Sequence, residues 1–277
     1  MLGRKRNSAQ RAALIADERR NILSASSDFF IREAYKTLRT NTMFALAGQD
    51  GCKVVVVTSS LQGEGKSITT LNLAISFAEA ENRVLLIDCD LRRPKLARLL
   101  DKSASAGLSN LLLDPSLLES AILPGGTPRL DVILSGDIPP NPSELLGSAR
   151  MESLLAHLRK RYDYVILDTP PVNMVTDAVV LAPKSDGVLF VVRAGQSERV
   201  PVMHAVEQLG YAQAKILGFV LDDVTAGDGC YGYSKYKYKK YYRYGRYGYG
   251  GYGYGGYGYG YGSTEQKNGT QEGNASP

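Results

Sequence analysis

The chain has 277 residues, 44% of them hydrophobic and 22% charged, enough apolar material for one α/β domain with extensions. No apolar run approaches the roughly 18–20 residues that cross a bilayer. The basic start is not followed by an apolar leader segment, so neither a membrane span nor a signal peptide is expected. The net charge of +5 sits at the ends: residues 1–24 and 227–277 each carry net +4, whereas the stretch between is net −3. This distribution suits solubility, and nucleic acid is not expected as a partner. Cys52, Cys89 and Cys230 have no metal-ligand or paired spacing and read as reduced thiols of a cytosolic protein.

Three zones are expected: a basic, polar and flexible segment over 1–27, a domain over 28–226, and a disordered tail over 227–277. A helix over 27–46 opens the domain, with Asp28 as its cap. Short apolar runs then predict strands at 53–58 (KVVVVT), 84–88 (VLLID), 130–134 (LDVIL), 164–168 (YVILD), 187–192 (GVLFVV) and 215–221 (KILGFVL). Runs of this kind suit strands buried on both faces of a parallel sheet. Helical patterns fall between them at 67–81, 94–100, 142–162 and 198–209; His157 and His204 lie in these patterns as structural or solvated residues. The alternation predicts an α/β fold, a doubly wound, mostly parallel sheet, whose ligands bind beyond the carboxyl ends of the strands. In the tail, fourteen of the eighteen tyrosines fall within 231–261, interleaved with glycine and, at first, with lysine and arginine. Glycine at that density, with almost no aliphatic residues, builds neither regular structure nor a core.

The first strand runs into Ser60-Leu61-Gln62-Gly63-Glu64-Gly65-Lys66-Ser67 and then a helix. This is the phosphate-binding loop G-x-x-x-x-G-K-[ST] with Ser60 for its first glycine, and it predicts a P-loop NTPase fold. Gly63 and Gly65 let backbone N–H groups curl around phosphate oxygens, and the helix start adds its positive dipole end. Lys66 then reaches the β- and γ-phosphates and Ser67 ligates Mg²⁺, which makes ATP with Mg²⁺ the expected ligand. The nucleotide-binding segment is Gly63, Glu64, Gly65, Lys66, Ser67 and Ile68. Asp88 and Asp90 close the second strand and Asp168 closes the fourth; carboxylates at strand tips beside such a loop are placed to hold Mg²⁺.

The run Asp88-x-Asp90-x-Arg92 after one apolar strand, Asp168-x-Pro170-Pro171 after another, and the tyrosine cluster from Tyr231 resemble the bacterial tyrosine autokinases (BY-kinases) of capsule and exopolysaccharide systems, over about residues 28–262. The resemblance implies an ATP-dependent protein-tyrosine kinase. Lys66, Asp88, Asp90 and Asp168 are then its catalytic residues, Ser67, Asp90 and Asp168 its Mg²⁺ ligands, and Asp88 the general base for the tyrosine hydroxyl. Arg92 and Arg93 become candidates for orienting the acceptor or the phosphate. The family's E-x-x-R-x-x-R assembly motif corresponds to Glu33, Lys36 and Arg39, with lysine for the first arginine. That implies a ring-shaped homo-oligomer, with a contact weakened because lysine lacks the bidentate fork. Asp222 stands where the family has asparagine near the adenine.

The phosphoacceptors are then Tyr231, Tyr233, Tyr236, Tyr238, Tyr241, Tyr242 and Tyr244, modified by a neighbouring subunit. The more regular, uncharged repeat over 247–261 also suits self-association. Implied partners are a membrane-bound polysaccharide chain-length regulator that activates the kinase and a protein-tyrosine phosphatase. The implied location is cytoplasmic, held at the inner face of the membrane through the regulator. Two rival functions are a partitioning-type P-loop ATPase switch, which has a second lysine where this loop has Leu61, and an ATP-dependent scaffold without catalysis.

Overall fold

A computed structural model describes residues 18–48 and 50–224. Residues 1–17, Cys230, and the tail with all the expected phosphoacceptor tyrosines lie outside the described residues.

The elements run α1 (Phe29–Ala45), β1 (Lys53–Ser59), α2 (Lys66–Glu79), β2 (Val84–Asp88), α3 (Leu96–Leu100), α4 (Leu108–Leu113), α5 (Leu118–Ala121), β3 (Ile122–Pro124), β4 (Leu130–Ile133), α6 (Pro142–Gly147), α7 (Ala149–Leu158), β5 (Tyr164–Asp168), α8 (Asp177–Leu181), β6 (Gly187–Arg193), α9 (Arg199–Tyr211) and β7 (Ile216–Asp222). The strands form one seven-stranded sheet in the order β3-β4-β2-β5-β1-β6-β7. Every neighbouring pair is parallel except β3 with β4. All six strands expected from sequence are present. The antiparallel edge strand β3 was not expected, because three residues ending in proline leave too short an apolar run to register.

The central strands are buried throughout, as their unbroken valine, leucine and isoleucine runs require. Their side chains alternate between two cores, which is what doubly wound means physically. Val54, Val56, Leu85, Ile87, Val165 and Leu167 face one side and pack with Met151, Leu155 and Leu158 of α7 and Leu209 of α9. Val55, Val57, Leu86 and Ile166 face the other and pack with Leu71, Leu73 and Phe77 of α2 and Leu96 of α3. No helix among the described residues is long and apolar enough to cross a membrane.

Two expectations are corrected. The helix expected over 142–162 is two helices, because Gly147 ends α6 and Ser148 turns extended (φ −69°, ψ 160°) and caps α7 through its hydroxyl. The described part of the expected flexible segment 1–27 is docked. Leu23 is buried in the α2-side core, its N–H donates to Asn72 Oδ1 at 2.7 Å, and the Asn72 amide donates back to Asn21 O at 2.9 Å. Glu18 and Arg19 both bind Arg98, through its guanidinium and its carbonyl respectively. The Asp28 cap is as expected, its carboxylate accepting from Phe30 N at 2.8 Å.

Candidate nucleotide and phosphoryl-transfer site

Because β2, β5 and β1 are neighbours, their carboxyl ends meet at one place. Asp88 lies directly across from Asp168 in the β2–β5 register, and Val57 across from Asp168 in the β1–β5 register. The loop leaving β1 therefore rises beside both aspartates. Gly63 (φ +86°) and Gly65 (φ +83°) hold the left-handed conformations that turn this loop, and Gly65 caps α2. A side chain at Gly65 would in addition collide with Asp222, whose Oδ2 lies 1.9 Å from the position of the absent Cβ.

Lys66 is the charge centre. Its ammonium lies 3.3 Å from Asp90 Oδ2, 3.8 Å from Asp168 Oδ1 and 3.4 Å from Ser67 Oγ, and its side chain is only 7% exposed. Burial opposes its charge, but Asp168, Asp90 and Asp88 prevail and hold the ammonium above its ordinary pKa. Asp88 is fully buried and accepts from the backbone N–H groups of Asp90 (3.2 Å) and Leu96 (3.0 Å). Burial pushes its carboxyl up to about 8, Asp168 adds to the rise and the Leu96 amide opposes it. Burial also raises Asp168, against the pull of Lys66.

Asp168 Oδ1 accepts from Thr70 Oγ1 at 3.3 Å, while Asp168 Oδ2 is buried with no hydrogen-bond partner. An unpartnered buried carboxylate oxygen is costly, and it fits a site that a cation completes. No group of three or more metal-ligating side chains occurs among the described residues. The pair Asp90 and Asp168 with the Ser67 hydroxyl suits Mg²⁺, which takes one or two carboxylates together with substrate phosphates.

Residues 52–209 match the family model described as AAA domain. The chain is 41% identical over 190 residues to the tyrosine-protein kinase YwqD of Bacillus subtilis, an alignment that spans 69% of this chain and 80% of that protein. The chain belongs to the bacterial tyrosine-protein kinases. Among solved structures, the kinase domain of the Escherichia coli tyrosine kinase ETK superposes on this kinase with a TM-score of 0.66 at 34% identity, covering 71% of this chain and 78% of that one. The chimerical protein CapA2B2 does so with a TM-score of 0.64 at 37% identity, covering 68% and 82%. Neither a partitioning ATPase nor a scaffold accounts for the chain as well as a tyrosine-protein kinase built on a P-loop domain that binds nucleotide.

The fold of this kinase brings Gly63, Glu64, Gly65, Lys66, Ser67 and Ile68 together with Asp88, Asp90 and Asp168. Arg92 is within electrostatic reach of Asp90, but its hydrogen bonds go elsewhere. Arg92 pairs with Asp177 at 3.1 Å, whose side chain is fully buried, and donates to Ser143 Oγ at 3.0 Å, so it ties the loop after β2 to α6 and α8. Its guanidinium is thus engaged by Asp177 and Ser143. Arg93 is exposed and reaches Gln62 Oε1 at 3.0 Å on the rim of the P-loop. On α1, Lys36 pairs with Glu33 at 2.7 Å and Arg39 donates to Ser76 O at 2.6 Å.

The motif assigns Glu64 to the nucleotide-binding segment without a role for its side chain. Its carboxylate is in fact buried and accepts from Ser60 Oγ (2.8 Å), Leu61 N (2.7 Å) and Ser197 Oγ. This explains how the loop tolerates serine in place of its first glycine: the Ser60 hydroxyl is a ligand of Glu64.

Proposed function

We propose that this kinase transfers the γ-phosphoryl group of Mg-ATP to tyrosines of its own tail, on neighbouring subunits, and thereby regulates capsule or exopolysaccharide synthesis and export. The observation that carries the reading is the meeting of Lys66, Asp90 and Asp168 at one buried point beside Gly63 and Gly65, with an unsatisfied oxygen on Asp168. Backbone N–H groups from Gly63 to Ile68 cradle the phosphates at the start of α2. Bound Mg²⁺, held by Ser67, Asp90 and Asp168, supplies neutralisation of charge on the phosphate oxygens. Without nucleotide, Lys66 compensates the carboxylates; with nucleotide, its ammonium serves the β- and γ-phosphates.

The acceptor tyrosine oxygen forms a bond to the γ-phosphorus as the bond to the ADP oxygen breaks, and its proton passes to Asp88. Burial pushes the Asp88 carboxyl up to about 8, so its ionised form is a stronger base toward a phenol than an ordinary aspartate, and proton transfer to it is expected to gain as pH rises through about 8. The acceptors are Tyr231, Tyr233, Tyr236, Tyr238, Tyr241, Tyr242 and Tyr244.

The same reading includes a ring of subunits joined through Glu33, Lys36 and Arg39. Support comes from a cavity of about 510 Å³ lined by Arg32, Lys36, Arg39 and Arg129, and from apolar side chains exposed nearby on α1, Ile31 and Phe44 among them. Each phosphate adds about −1.5 to −2 charge, so a few would reverse the tail's net +4 and loosen the ring. A membrane-bound chain-length regulator activates the kinase and holds it at the membrane, and a tyrosine phosphatase resets it. The similarity to the chimerical protein CapA2B2 supports such a partner.

Mixing tests transfer between subunits. A Lys66→Met protein with an intact tail is incubated with Mg-ATP and an active protein whose tail tyrosines are all phenylalanine. Phosphotyrosine on the Lys66→Met chain is the expected result, and its absence contradicts transfer in trans.

A further inference from the structure

The end of β6 and the loop that follows it, residues 193–198, contact the P-loop at two consecutive residues, Gly63 and Glu64. Arg193 Nη1 donates to Gly63 O at 2.8 Å. Ser197 Oγ accepts from Arg193 N at 2.9 Å and donates to the buried Glu64 carboxylate, so one hydroxyl links the two loops through both its donor and its acceptor functions. Gln196 Nε2 lies 3.2 Å from where a Gly63 Cβ would stand.

The same arginine faces the other way as well. Its Nε and Nη2 donate to Asp223 Oδ2 at 3.1 and 2.8 Å, and Ala194 N donates to Asp222 O at 2.9 Å. Asp222, the last residue of β7, packs its carboxylate on Gly65. These two aspartates stand a few residues before the tyrosine-rich sequence begins. One side chain therefore holds both the carbonyl of a P-loop glycine and the chain segment from which the acceptor tail departs.

We propose that Arg193 is a positioning residue for nucleotide, a brace that sets the P-loop through Gly63 and Glu64 and couples it to the root of the tail through Asp223. The proposal rests on the reading of residues 63–68 as the nucleotide site. The conformation that presents N–H groups to phosphates needs Gly63 and Gly65 at positive φ, and a fixed carbonyl at Gly63 fixes the peptide planes on either side of it. Displacement of Asp223 shifts Arg193 and Gly63 with it, so that occupancy of the nucleotide site and the position of the end of β7 bias one another.

The test uses the full chain and Mg-ADP binding by isothermal titration calorimetry, with autophosphorylation at saturating Mg-ATP as the second readout. Arg193→Ala is expected to weaken Mg-ADP about 5- to 20-fold, the range for losing a charge-assisted hydrogen bond at a partly exposed site, while the rate at saturating ATP falls less than about 3-fold. Arg193→Lys keeps one donor for Gly63 O and loses the fork to Asp223, so its affinity lies between the two. Asp223→Ala weakens binding about 2- to 5-fold without touching the P-loop directly.

Thermal unfolding without nucleotide serves as the folding control, and the exposed Arg193–Asp223 pair predicts little change there. Wild-type affinity in Arg193→Ala, or equal loss in the alanine and lysine variants, overturns the brace. A Lys66→Met protein that binds Mg-ADP like wild type overturns the nucleotide-site reading instead; nucleotide lost in Lys66→Met but unchanged in Arg193→Ala leaves that reading standing and removes the brace alone.

Discussion

Lys66→Met is the most instructive perturbation of the nucleotide-free protein. Lys66 is the buried cation that faces Asp88, Asp90 and Asp168, and it acts on Asp168 more strongly than Lys95 does; the side chains of Asp90 and Asp168 are at most 7% exposed. Methionine fills nearly the same volume, so packing changes little and the loss is electrostatic. Removing one partner of a buried pair costs about 3–5 kcal/mol. For a domain of this size about 2–4 °C of Tm goes with each kcal/mol, so the drop at pH 8 is about 6–20 °C. The uncompensated carboxylates have a second way to lose their charge, which is to take up protons. Asp88 is already pushed up to about 8, and without Lys66 it rises further, so at pH 6 protonation replaces the missing ammonium and less than about half of the loss remains. Differential scanning calorimetry at both pH values, without Mg²⁺ or nucleotide, measures this. An equal drop at pH 6 and pH 8, or none at either, refutes the view of Lys66 as the counter-charge of the three aspartates.

Arg92→Ala leaves Asp177 buried with only Ser143 to answer it, and is expected to cost about 2 kcal/mol after allowance for the part of the arginine that is exposed. Urea unfolding checks this, and nucleotide affinity should stay near wild type because the guanidinium bonds to Asp177 and Ser143 rather than to the P-loop. Asp88 predicts a pH dependence: its folded pKa lies above its unfolded value of 3.8, so the folded state keeps a proton that the unfolded state has released. Its contribution to stability therefore falls as pH rises from about 4 to about 8, and Asp88→Asn, which cannot ionise, should flatten the Tm profile of the nucleotide-free protein across that window.

What was legible in the sequence is what is local. The runs at 53–58, 84–88 and 164–168 are buried on both faces, and their composition says so without reference to anything distant. Strand tips and the loop after β1 could be placed together because parallel neighbours must end on the same edge. The meeting of Asp88, Asp90 and Asp168 with Lys66 at one edge of the sheet is legible in this way.

Short elements escaped: α4, α5 and α8 have four to six residues each, too few for a helical period to repeat. The break at Ser148 escaped because the apolar period continues across it, although glycine followed by serine is a stop and a cap. Contacts between distant residues escaped entirely. Arg92 and Asp177 are 85 positions apart, and Glu64 and Ser197 are 133 apart. Nothing in the spacing of an arginine after D-x-D distinguishes a guanidinium aimed at substrate from one that binds a buried aspartate.

The central claim is that the site around Lys66 phosphorylates the tail of this chain. Mass spectrometry of the tail after incubation with Mg-ATP, in wild type and in Lys66→Met, tests it most directly. Phosphate on tyrosines among Tyr231, Tyr233, Tyr236, Tyr238, Tyr241, Tyr242 and Tyr244 in wild type, and none in Lys66→Met, is the predicted result. Equal tyrosine phosphate in both proteins, or ATP hydrolysis by wild type with an unmodified tail, would contradict it.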